Sequence, residues 1–209
     1  MPVSQPEPAP APEPGGSSVR ADARRNRTRI LAAARQIVAT EGVAAQVHDV
    51  ARRAGVGVGT VYRHFPTKEA LMGELVRECM AENLQLARDC LQLRDRRAAF
   101  PTFVRTACQR MADDASMRRA WFSTSAAVLA YVADLDEELR PALSDLIGRA
   151  QRAGTLRASF AVDDMPLLMR SLAGVLDALV LDPATADQWP RMVDIVLNGL
   201  CSDSSPWEG

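Results

Sequence analysis

The sequence predicts an all-α protein, with a small three-helix unit near the N-terminus and a larger helical unit behind it. Apolar residues recur at i, i+3, i+4 and i+7 through most of the chain, and no strand-like alternation of useful length interrupts them. Apolar residues make up 47% of the chain but aromatics only 5%, so the core is built from Leu, Val, Ile and Ala, a mixture that favours helices. Gly, Pro and Asp punctuate the pattern at the spacing of short helices.

Residues 1–19 are rich in Pro, Gly and Ser and nearly free of large apolar side chains. Such a segment cannot bury enough surface to offset its ordering entropy, so it reads as a disordered tail. The arginine-rich stretch Arg20–Arg29 then has two readings, a solvated helix start or an arm that neutralises phosphates. From about Ala23 the helical period sets in. Ile30, Leu31, Ala34, Ile37 and Val38 form one stripe, and Gly42 is the expected stop. Val47, Val50, Ala51 and Ala54 make a second short helix ended by Gly55; a third runs to Phe65, before Pro66. Thr67 is placed to cap a long helix to about Leu93. Further helices are expected at about 96–113, 116–132, 134–153, 163–181 and 186–201.

The net charge of −1 hides a segregation: residues 20–68 carry +7, and residues 69–209 carry −6. A basic segment beside an acidic remainder fits a nucleic-acid-binding end joined to a different domain. We therefore divide the chain into the tail (1–19), a nucleic-acid-binding unit (20–68, with a helix-turn-helix at about 46–65) and a different, helical remainder (69–209).

The third helix supports that division. At 100° per residue, Val61 and Phe65 fall together with Val58 beside them, and that side must pack inward. Gly59, Thr60 and Arg63 point the other way, flanked by Tyr62 and His64. This face suits a major groove: Arg can bond guanine, Thr can touch a thymine methyl, and glycine allows close approach. Lys68 is the only lysine in the chain and sits in the first turn of a helix, where a cation opposes the macrodipole. A phosphate would be attracted by both the lysine and the helix N-terminus.

The stretch from Arg29 to Val76, and above all AGVGVGTVYRHFPTKEAL at Ala54–Leu71, resembles the DNA-binding domain of TetR-family repressors. Two positions depart from the family pattern. Ala45-Gln46 stands where Ser or Thr usually starts the second helix, and Gly57 stands where Ser often starts the third. The resemblance implies a homodimer on a palindromic double-stranded operator, with half-sites about 34–36 Å apart. It implies DNA contacts from Gln46, His48, Gly59, Thr60, Tyr62, Arg63, His64 and Lys68. It also implies release of the operator by an unknown small-molecule effector.

In the remainder, Phe103, Met111, Trp121, Phe122 and Tyr131 are candidates for an apolar effector pocket, although most such clusters are simply core. Leu168, Leu172, Val175 and Leu179, with Met192, Ile195, Val196 and Gly199, are candidates for a four-helix dimer interface. No nucleophile–base pair, phosphate loop or metal-ligand spacing is present, so no catalytic residue, metal or cofactor is expected. Cys79, Cys90, Cys108 and Cys201 read as core residues rather than a redox centre. Neither a membrane span nor a secretory leader is evident, so the expected location is cytoplasmic. An activator of the same fold, a regulator without a ligand, and an enzyme or carrier built on the helical domain remain as alternatives.

Overall fold

The structure, a computed structural model, describes residues 15–122, 125–182 and 184–201, and no strand occurs among them. α1 (Gly15–Glu41) begins earlier than expected, so residues 15–19 belong to a helix rather than to the tail; residues 1–14 lie outside the described residues. Extending an existing helix costs far less than nucleating one, and the stripe from Ile30 to Val38 supplies the anchored nucleus. The arginine-rich stretch is accordingly part of α1. Gly42 closes α1 at φ 58° and opens a 3-10 turn, Gly42–Ala44.

α2 (Val47–Ala54) lays Val47, Val50, Ala51 and Ala54 on the core, as its period requires. Gly55 ends it in the left-handed region at φ 64°, ψ 39°, and Val56 turns back toward the core. A side chain at this position would be strained by its φ, and its Cβ would lie 2.8 Å from Arg29 Nη2. α3 (Val58–His64) follows, with Val61 fully buried and Phe65 behind it in the core. Val58 departs from its expected inward position: it is 41% exposed, because it opens the helix at the edge of the packed side.

α4 (Lys68–Leu91) leads from this unit into the larger one; the Thr67 hydroxyl caps it by accepting from Ala70 N at 3.0 Å. α5 (Ala99–Asp113) and α8 (Ala133–Arg152) pack on α4 and on each other, and α9 (Asp164–Leu181) packs on α5. The helix expected at 116–132 is two helices, α6 (Ala115–Phe122) and α7 (Ala126–Ala130). Ser125 accepts from Val128 N at 3.3 Å and so starts a new helix where a continuous one was expected. α10 (Trp189–Gly199) closes the chain against α5 and α9.

Cys79, Cys90 and Cys108 are buried, and Cys201 is exposed. Burial pushes the Cys108 thiol up to about 12, and burial followed by the nearby Asp89 raises that of Cys90. A thiol reagent applied to the native protein at pH 8 should therefore label Cys201 quickly and the buried three only on unfolding. The sign of the pH effect follows. Cys108 titrates near 9.0 when unfolded and about 12 when folded, so its contribution is full below pH 9 and is lost as pH rises toward 12.

Candidate nucleic-acid interface

α1 and α2 hold α3 by one side only. Val61 and Phe65 fill that side, and Arg27 covers the Phe65 ring at 5.3 Å while pairing with Glu74 at 2.6 Å. Arg29 Nη2 reaches the Gly55 carbonyl at 3.4 Å and ties the turn to α1. On the opposite side, Gly59, Tyr62 and Arg63 are exposed, and Thr60 and His64 are half-buried. Tyr62 is 47% exposed, and among the described residues nothing beyond its chain neighbours and the backbone of α3 lies within 4 Å of where a Cβ on Gly59 would stand. A convex helix face with open space over its glycine can enter a major groove without displacing its own protein.

The structure sorts the basic residues of this end. Arg25 pairs with Asp22, Arg35 with Glu78 and Arg52 with Asp49, and Arg53 donates to Gln36. Arg20, Arg24 and Arg63 have no side-chain hydrogen bond or ion pair among the described residues. Much of the local charge is thus engaged within or between helices, and Arg63 is the guanidinium on α3 left to face outward. Lys68 is half-buried at the first position of α4, beside the Thr67 cap. Gln46 occupies the N-cap of α2 without capping it, since its amide donates to Ala44 O at 2.9 Å. The exposed His48 Nε2 lies 3.2 Å from Asp49 Oδ2.

The larger unit contains a cavity of about 400 Å³ between α4, α5, α8 and α9. Of the residues expected to line a pocket, Phe103 is on its wall. Met111 is fully buried elsewhere in the core, and Tyr131 is exposed, with its Cβ 2.7 Å from where a Cβ on Gly73 would stand. The side chains of Trp121 and Phe122 lie outside the described residues. Sequence reasoning missed Asn83, Met165, Met169, Arg140 and Arg170, which line the cavity. Only the packing of four helices, distant in sequence, brings them together.

On the outer helices, Val175, Ile195 and Gly199 are exposed, while Leu168, Leu179, Met192 and Val196 are half-buried. Leu172 is a correction: it is buried inside its own protomer, because α9 turns that row toward α5. Leu167, 64% exposed, joins the outward row instead.

Sequence reasoning also missed a junction between the two units. Arg118 on α6 is 2% exposed; its Nε lies 2.9 Å from Asp177 Oδ1 on α9, and its Nη1 donates to Met111 O at 2.6 Å. Arg119 Nε stands 3.4 Å from the same carboxylate, and its Nη1 donates to Ala39 O and Thr40 O at 2.7 Å each. A cation on the last carbonyls of α1 also complements that helix's dipole. One carboxylate on α9 thereby holds two arginines, of which Arg119 grips the end of α1.

An outward recognition helix on a small three-helix unit, continuous with a larger helical unit, defines a helix-turn-helix transcription regulator. Residues 30–75 match the family model described as bacterial regulatory proteins, tetR family. Residues 95–202 match that of the SbtR-like transcriptional regulator C-terminal domain. The chain belongs to the TetR family of DNA-binding transcription regulators. Among solved structures it is similar to a TetR transcription regulatory protein from Mycobacterium vanbaalenii, with 32% identity, 88% of this chain and 99% of that one covered, and a TM-score of 0.53. It is also similar to a TetR transcriptional regulator from Streptomyces coelicolor, with 30% identity, 85% and 99% covered, and a TM-score of 0.54. FadR from Bacillus subtilis, solved with stearoyl-CoA, shares the fold at 15% identity and a TM-score of 0.64, with 82% and 98% covered. No curated protein matches. No helix among the described residues is long and apolar enough to cross a membrane.

Proposed function

We propose that this protein is a homodimeric repressor that leaves a palindromic operator when a small molecule fills the cavity between α4, α5, α8 and α9. The observation that carries the DNA side of this reading is the Gly59–His64 face of α3, which stands open among the described residues while Val61 and Phe65 lock the opposite face. Arg63 and Thr60 read base edges; Tyr62 and Lys68 bind phosphates and set register. Gln46 and His48 are the weaker contacts, each being engaged within its own segment.

The outward row of Leu167, Val175, Ile195 and Gly199 on α9 and α10 supports pairing with a second copy. Two copies would present two α3 helices to successive major grooves. The cavity supports the effector, since its volume lies within the range of small-molecule sites. Stearoyl-CoA in the Bacillus subtilis FadR structure supports a ligand site in this fold, without transferring that ligand here. Met165 and Met169 on the cavity wall share α9 with Asp177, so a ligand that moves α9 also moves the grip of Arg119 on α1.

Footprinting on DNA flanking the protein's own gene tests the reading. Two protected half-sites related by a two-fold axis are expected, and an unprotected region would sink it. Lys68→Ala should weaken binding to every sequence alike and lower the salt slope by about one. A change in base preference instead would remove Lys68 from the phosphate role.

A further inference from the structure

We infer that the overhanging start of α1 is a second phosphate-binding element, in which Arg20 and Arg24 grip the sugar-phosphate backbone of the same duplex that α3 enters. The inference rests on the reading of α3 as a DNA-binding helix, and adds to it a contact outside the helix-turn-helix.

Helix rotation places these arginines on a particular side. Arg20, Arg24 and Arg27 fall within about 40° of Leu31 and share its side of α1 with Val38. Leu31 and Val38 are buried on that side, and Arg27 lies over the Phe65 ring at 5.3 Å. Nearer the N-terminus the protein beneath runs out. Asp22, Ala23, Arg24 and Arg25 make a full turn and are all exposed, so α1 stands clear of the unit there. The side that meets the core from Leu31 onward therefore carries arginine where it overhangs. The one acid between residues 20 and 29 is Asp22, which falls on the opposite side and is answered by Arg25.

Two ion pairs fix the direction of the overhang. Arg27 meets Glu74 and Arg35 meets Glu78, so α1 and α4 run in the same sense where they pass. The N-terminal ends of both helices thus point the same way. At 1.5 Å per residue, Arg20 lies about 10 Å before Arg27 along α1, and Lys68 about 9 Å before Glu74 along α4. Both reach the end of the unit where Phe65 closes α3. The charge left unanswered at this end is positive: Arg20, Arg24 and Arg63 have no side-chain partner among the described residues. Against them stands Glu69 in the first turn of α4, the acid here without an ion pair, while Glu41 lies at the far end of α1. An overhanging guanidinium gives up no internal contact on meeting a phosphate, and releases a counterion from the duplex in doing so.

Anisotropy titrations of the full-length protein over a range of salt test this, on a duplex carrying the footprinted operator and on one of random sequence. Arg20→Gln with Arg24→Gln should weaken binding to both duplexes about tenfold near 0.1 M salt and lower the salt slope of the dimer by about two to four. The thermal melt should not move, since neither side chain has a described contact. Arg24→Gln and Arg25→Gln remove the same charge one position apart; the first should take its share of the loss and the second almost none. Arg20→Lys with Arg24→Lys should keep the wild-type slope, because a phosphate contact needs the charge rather than the planar fork. An unchanged slope in the double Gln variant overturns the inference, as does an equal loss from Arg25→Gln or a loss that persists in the double Lys variant. A loss confined to particular flanking sequences also overturns it, by making these base contacts. In each of those cases the reading of α3 stands. If the wild-type protein binds neither duplex, that reading falls and the inference with it.

Discussion

Asp177→Ala should lower folding stability by about 3–5 kcal/mol, a large effect for one surface-reaching carboxylate. The magnitude follows from what is left behind. Arg118 is 2% exposed, and with Asp177 gone its guanidinium keeps only the Met111 carbonyl, so a nearly desolvated charge stands unpaired. For a chain of this length the loss corresponds to a fall in Tm of roughly 10 °C. The double variant Arg118→Met with Asp177→Leu should recover much of it, because replacing both members of a buried pair with apolar groups of similar volume is often neutral. Thermal melts of the two variants separate this account from loss of packing alone. A melt of Asp177→Ala within about 2 °C of wild type would show that the pair is solvated in solution. The same substitution should loosen α1 from α6, since Arg119 loses the carboxylate beside its grip on Ala39 and Thr40. Operator affinity measured below the melting range is then expected to fall as well.

Arg63→Ala should flatten base preference at one position of each half-site, at about 1–3 kcal/mol per site and twice that for a dimer. The guanidinium stands on the exposed face of α3 with no partner among the described residues, so no described contact is lost on removing it. Stability should therefore stay within about 0.5 kcal/mol of wild type, which makes the binding measurement clean. Arg63→Lys is an informative companion, because a lysine keeps the charge but not the planar fork that pairs with guanine. It should retain non-specific affinity and lose discrimination. Binding of both variants to a library of operator mutants reads this directly. A uniform loss across all sequences would make Arg63 a phosphate contact and move base reading to Thr60 or Tyr62.

Much of this molecule is legible along the chain. The periods of Ile30–Val38 and Val47–Ala54, the left-handed stop at Gly55, and the Thr67 cap are local matters: neighbours within a turn or two decide them. The division of α3 into a buried and a free side follows from the same rotation per residue, which is why Val61, Phe65, Tyr62 and Arg63 stand where the sequence predicts. The misjudged positions lie at ends and edges. Val58 begins a helix, where the partner surface runs out, and Ser125 interrupts a helix that composition alone would continue.

What the sequence by itself determined, then, is the helical class, the turn-helix geometry of the DNA-binding end and the identity of its outward face, because each depends on contacts within a few residues. The tertiary structure alone decided which arginines are spent on internal pairs, that Leu172 faces inward, and that Asn83 and Arg170 share a cavity with Met80. It alone placed Asp177 against Arg118 and Arg119, 59 and 58 residues away. Those pairings depend on how α4, α6, α8 and α9 cross, and helical periodicity says which side of a helix is apolar without saying what it will meet.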